Sequence, residues 1–166
     1  MIGVMRHELV RLAFESEVTR SLRSLAFERE CALVQEVVEL LVPVVARVGE
    51  ELGLTDASGE RRGAVAAVFV SEWPGEDGEA LFLDCTGNWR LGPSAADGLR
   101  WYDFRSVRIV VRIMGGMTVI RRLVEALLYA AEKRRPDDYD DIVEAVISVA
   151  EAFVGGGVVD VGKGGD

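Results

Sequence analysis

Apolar residues recur every three or four positions through the first fifty residues of the chain. Val10, Phe14, Val18, Leu22 and Leu25 form one stripe, and Glu8, Arg11, Glu17, Arg20 and Arg23 lie mainly off it. This spacing predicts an amphipathic helix. A second stripe follows at Val34, Val37, Val38, Leu41, Val45, Val48 and Leu52. Pro43 interrupts it and is expected to kink or divide the helix, because proline removes an amide donor and crowds the preceding turn. Gly53 fits a helix C-cap.

The texture then changes. Thr55 to Gly63 reads as a polar linker, and Ala64 to Val70 is a continuous apolar run with β-branched and aromatic residues, the pattern of a strand buried on both faces. Trp73 to Gly78 carries turn residues, and Ala80 to Cys85 reads as the returning strand of a hairpin. Gly87 to Gly98 reads as loop and Leu99 to Phe104 as a short strand. Val107, Ile109, Val111 and Ile113 alternate with Arg108, Val110 and Arg112, which predicts a half-buried strand ended by Gly115-Gly116. Thr118 can cap a helix running to Arg135, where Pro136 stops it. Asp137 or Asp138 caps a last helix that ends near Val154.

Helices, then strands, then helices imply an α+β fold: N-terminal helices, a central antiparallel sheet of three to four strands and two C-terminal helices. One domain is expected over residues 1–154, with a flexible Gly-rich tail at 155–166. The strand at Ala64 to Val70 needs cover on both faces, from the helices or from another subunit.

Composition narrows the function classes. The net charge of −9 repels phosphate backbones on average, so nucleic-acid binding is unlikely. The longest uncharged apolar run is far below the roughly 18 residues needed to span a bilayer, and the start of the chain lacks the order of a signal peptide. The expectation is a cytoplasmic protein without a membrane partner. Seventeen of the 19 basic residues are Arg, and there is one Asn (Asn88) and one Gln (Gln35). Depletion of thermolabile amides with abundant Glu, Arg and Val fits a thermophile, although GC-rich coding also favours Arg over Lys. Cys31 and Cys85 cannot build a tetrahedral zinc site alone and read as small apolar residues, with a disulfide the minority reading. His7 is the single histidine, which removes two-histidine metal sites within one chain. It also lacks the glycine context of a Ser or Cys nucleophile.

Four places carry candidate chemistry. Arg108 and Arg112 share one face, near Trp89, Arg100, Trp101 and Tyr102, and arginines interleaved with aromatics suit a protein interface or simply a covered sheet face. Gly115, Gly116 and Thr118, with Arg121 and Arg122 one turn on, offer free amides and guanidinium groups to a phosphate or carboxylate; a tight turn with exposed arginines is the favoured explanation. Asp137, Asp138 and Asp141 offer oxygen ligands to magnesium or manganese, and helix capping accounts for the same residues. Gly157, Gly162 and Lys163 match part of a P-loop spacing, but Gly164 stands where Ser or Thr is required and no helix can follow.

These features favour a non-catalytic interaction or assembly subunit that binds itself or another protein, with no cofactor. A carboxylate-based Mg/Mn-dependent enzyme and a small anionic-ligand sensor at the Gly115-Gly116 turn are the competing readings.

Overall fold

The computed structural model describes residues 2–55, 58, 60–94 and 102–164. Along the chain run helix α1 (Ile2–Val48), strands β1 (Glu50–Thr55), β2 (Arg61–Glu72), β3 (Glu79–Asp84), β4 (Trp89–Pro93) and β5 (Asp103–Arg105), and helices α2 (Val107–Met114), α3 (Gly116–Arg134) and α4 (Tyr139–Gly164). A short 3-10 turn (Pro136–Asp138) links the last two helices. The fold is α+β, with one antiparallel sheet of five strands in the order β1-β2-β3-β4-β5.

The sheet is a meander whose register sorts its side chains. Val68 opposes Leu83 and Leu83 opposes Trp89. Directly opposed residues share a face, so these three point the same way, and all belong to the large core that includes Val34, Val38, Leu41 and Val45 of α1 and Leu123 and Leu127 of α3. On the other face Leu52 opposes Val65 and Phe69 opposes Phe82. A smaller cluster forms there from Leu52, Ala67, Ala80, Phe82 and Tyr102. Val70, two residues after Val68, joins the same large core, and a bulge between Phe69 and Ser71 then shifts the register with β3. Cover on both faces of the segment Ala64 to Val70 is partial: Ala67, Val68 and Val70 are buried, Val65 and Ala66 half-buried, and Ala64 and Phe69 exposed.

Four local expectations are corrected. Pro43 sits inside α1 without dividing it, and α1 ends at Val48 rather than at Gly53, which lies in β1. Gly49 makes the exit: a Cβ there would stand 2.7 Å from the Ala67 amide nitrogen, so only glycine lets the helix end abut β2. The stretch read as loop from Gly87 contains β4, and β1 (Glu50–Thr55) is not read as a strand either; these two additions bring the sheet to five strands once the segment at Val107 to Ile113 is removed from it. The alternating segment at Val107 to Ile113 is helix α2, not a strand. Its apolar positions satisfy both periods, but Val107, Val110, Val111 and Met114 make the helical stripe, and these pack on the core while Ile109 and Ile113 remain exposed. Ser106 decides the outcome by capping the helix, its hydroxyl accepting from the Ile109 amide.

The Gly115-Gly116 pair therefore joins two helices. Gly115 has φ of +84° and closes α2 with its amide donating to Val111. It also precedes α3, whose start is Gly116 rather than a helix capped by Thr118. The backbone of α4 continues past Val154, where the sequence places its end, to Gly164.

Candidate interaction surface

The 47-residue α1 is built from two halves that face different ways. Its second half buries Val34, Val37, Val38, Leu41, Val44, Val45 and Val48 in the core. Its first half is exposed throughout residues 3–26. There the helix is braced by short-range ion pairs: Arg11 with Glu8 and Glu15, and Arg20 with Glu17. Each such pair adds only a few tenths of a kcal/mol.

The stripe on this projecting half is left uncovered. Val10, Phe14, Val18, Leu22 and Leu25 are between 41 and 69% exposed. At 3.6 residues per turn the stripe lies roughly 170° around the helix from the core-facing residues. It is thus not a frayed extension of the core face. Met5, Leu9 and Leu12 add further exposed apolar surface. Soluble monomers seldom leave contiguous apolar patches of more than a few hundred Å² in water.

The stripe leads into a groove. Leu22, Ala26 and Leu33 follow one side of α1 at spacings of four and seven. Ala26, Arg29, Glu30 and Leu33 then line a cleft of about 260 Å³ against Gly116, Met117 and Ile120 of α3. Met117, Ile120 and Val124 continue the apolar track toward Val149 and Phe153 of α4. Met117 is among the most exposed apolar side chains of the body, at 71%.

Charge separates the two parts of this surface. Residues 2–25 carry Arg6, Arg11, Arg20 and Arg23 against Glu8, Glu15 and Glu17, a net +1, which leaves −10 on the remainder of the chain. Arm and body are therefore oppositely charged.

The arginines predicted from the sequence have a local role. The guanidinium carbons of Arg108 and Arg112 lie 5.2 and 5.4 Å from the centroid of the Phe27 ring. Arg108 also pairs with Glu28. Both arginines share a face as expected, on a helix rather than a strand, and they fasten α2 to α1. Trp89 is in the large core, and its indole nitrogen has no hydrogen-bond partner among the described residues. Tyr102 is buried on the other sheet face, edge-to-face with Phe82 at 4.9 Å. Arg100 and Trp101 lie outside the described residues.

At the Gly115-Gly116 turn a carboxylate already faces the helix start. The Glu30 side chain accepts the Gly116 amide at 2.5 Å. Thr118 is half-buried, Arg121 is exposed, and Arg122 lies 3.8 Å from Glu125. Asp138 is engaged by Arg47 at 3.4 Å and Arg135 at 3.7 Å. Asp137 and Asp141 are exposed. Among the described residues no group of three or more His, Cys, Asp or Glu side chains is placed to hold a metal. Cys31 is buried and Cys85 half-buried, both as free thiols, and burial pushes the Cys31 thiol above its ordinary pKa. His7 is exposed on the arm.

The sequence does not announce one further site. Asp84 is fully buried and takes four hydrogen bonds: the Thr86 amide and hydroxyl, the Asn88 amide and the Arg90 guanidinium at 2.6 Å. Its signal was the run Asp-Cys-Thr-Gly-Asn, an acid followed by turn residues whose amides it can collect.

Comparison with known protein families, with curated proteins and with solved structures finds no match to this chain. No helix among the described residues is long and apolar enough to cross a membrane.

Proposed function

We propose that the protein is a non-catalytic assembly subunit that self-associates through the projecting half of α1. One observation carries this reading: a regular apolar stripe on a helix that its own body does not cover. Fully burying a Val, Leu or Phe side chain contributes about 1.5–3 kcal/mol. Five such residues, each a little over half exposed, therefore make roughly 5–9 kcal/mol of transfer energy available per arm. A symmetric dimer uses two arms, and roughly 10–18 kcal/mol then stands against an association cost of about 4–15 kcal/mol.

A second copy is the occupant that the surface suits best. The same molecule offers an apolar ridge, an apolar groove and opposite charge on the parts that bear them. The carboxylate-enzyme and anion-sensor readings have less to stand on, since Asp138 is engaged by two arginines and the Gly116 amide by Glu30.

Native mass spectrometry at two protein concentrations tests the proposal. The wild-type chain gives a defined multimer, and Phe14→Glu with Leu22→Glu shifts it to monomer without lowering the melting temperature of the body. A wild-type monomer at every concentration disproves it.

A further inference from the structure

The arm and the groove lie on one helix, and their distances from a common point match. Val10 precedes Leu22 by twelve residues and Leu33 follows it by eleven, about 18 and 16 Å along the axis. Two α1 helices laid antiparallel with Leu22 beside Leu22 thus bring each arm onto the groove of the other copy. In height along the axis Val18 falls level with Ala26, Arg11 with Leu33, and Phe14 with Glu30, which lines the cleft together with Leu33, Met117 and Ile120. Glu15 falls opposite Arg29, which has no ion-pair partner among the described residues.

We infer that the protein forms a two-fold dimer in which α1 pairs antiparallel about Leu22, each arm seated in the groove of the second copy. This rests on the self-association reading above and specifies its geometry. A two-fold axis uses the same patch on both copies, which is why ridge and groove must both be present on one chain. The overlap runs from Val10 to about Val34, roughly 36 Å of helix, and covering half the circumference of a helix about 11 Å wide hides on the order of 600 Å² per copy. Contacts with Met117, Ile120 and Val124 of α3 bring this toward the roughly 800 Å² per partner of a stable complex.

Two experiments on the full chain test the pairing. Leu22→Cys places two thiols at the axis, where mild oxidation yields a covalent dimer; the parent chain, whose own cysteines are buried or half-buried, does not cross-link. Separately, Glu15→Arg and Arg29→Glu each put like charges together twice per dimer and weaken dimerisation about tenfold, and the double reversal restores it to within about threefold. Absence of the Leu22 cross-link, or a double reversal no better than the single ones, overturns the antiparallel pairing even where a dimer persists. A chain that is monomeric throughout removes the self-association reading as well.

Discussion

Glu30 and Gly116 are 86 residues apart in sequence, yet the carboxylate of the first accepts the backbone amide of the second at 2.5 Å. The contact ties the middle of α1 to the first turn of α3, where unpaired amides favour a negative charge. It also explains the glycine: a Cβ at position 116 would stand 2.5 Å from the Glu30 Cγ. Gly116→Ala is expected to destabilise the fold by about 1–3 kcal/mol through this clash, and Glu30→Ala by about 1–2 kcal/mol through the lost cap. Urea unfolding of both variants measures the two costs. Because Glu30 holds the amide, phosphate should leave the wild-type melting temperature unchanged, and a clear rise on adding phosphate contradicts this account.

The buried carboxylate of Asp84 has a pH signature. Burial pushes its pKa up, but hydrogen bonds from Thr86, Arg90 and the Asn88 amide outweigh burial and hold the group below the usual carboxylate range. A carboxyl whose folded pKa is depressed contributes stability in full above its unfolded value of about 3.9, and that contribution is lost as pH falls through the folded value. Asp84→Asn is expected to cost about 2–4 kcal/mol at neutral pH, since it leaves the half-buried Arg90 without a counter-charge. The gap between wild type and variant should narrow below about pH 4. Denaturation curves across the acid range check this, and a gap independent of pH contradicts it.

The stacking of Arg108 and Arg112 on Phe27 joins α2 to α1 at the base of the arm. Exposed cation–π contacts are worth about 0.5–1 kcal/mol each. Arg112→Ala should therefore cost about that much in wild type and almost nothing when Phe27 is already Leu, a non-additivity that a double-mutant cycle measures directly. Full additivity would mean that the ring and the guanidinium do not interact.

Where one period dominated, the sequence was readable. The stripe from Val34 to Val48 and the hairpin of β2 and β3 came directly from their patterns, although Leu52, read as the end of that stripe, lies in β1. Between Val107 and Ile113 two periods coexist, and the deciding residue, Ser106, acts as a cap outside the repeat. Strand β4 was hidden because Asn88, Gly92 and Pro93 resemble a loop; Pro93 is tolerated because it stands at the strand's end. The two stripes of α1 were both visible, but periodicity within each does not show that they face opposite ways. That requires carrying one helical phase across Phe27 to Leu33, where neither stripe has a member. The Gly115-Gly116 turn reads as a strand-to-helix junction capped at Thr118 but joins two helices, and Glu30, which accepts the Gly116 amide, comes from a helix that no pattern in the chain brings there.

The arm itself should respond to dilution. Most helical stability in proteins comes from packing an apolar face, and residues 3–26 are exposed within one chain. Under the proposed self-association, their helical order gains from burying the Val10 to Leu25 stripe against a second copy. Diluting the protein below its dimerisation constant should lower the far-UV helical signal by the equivalent of about 20 residues while near-UV signals from the core residue Trp89 persist. Amide exchange separates the same two populations: the first half of α1 should be protected in the dimer and exchange freely in Phe14→Glu, whereas α3 amides should behave alike in both. If the arm is equally helical and equally protected in dilute monomer, the stripe is not what holds it, and the coupling between arm order and assembly is wrong.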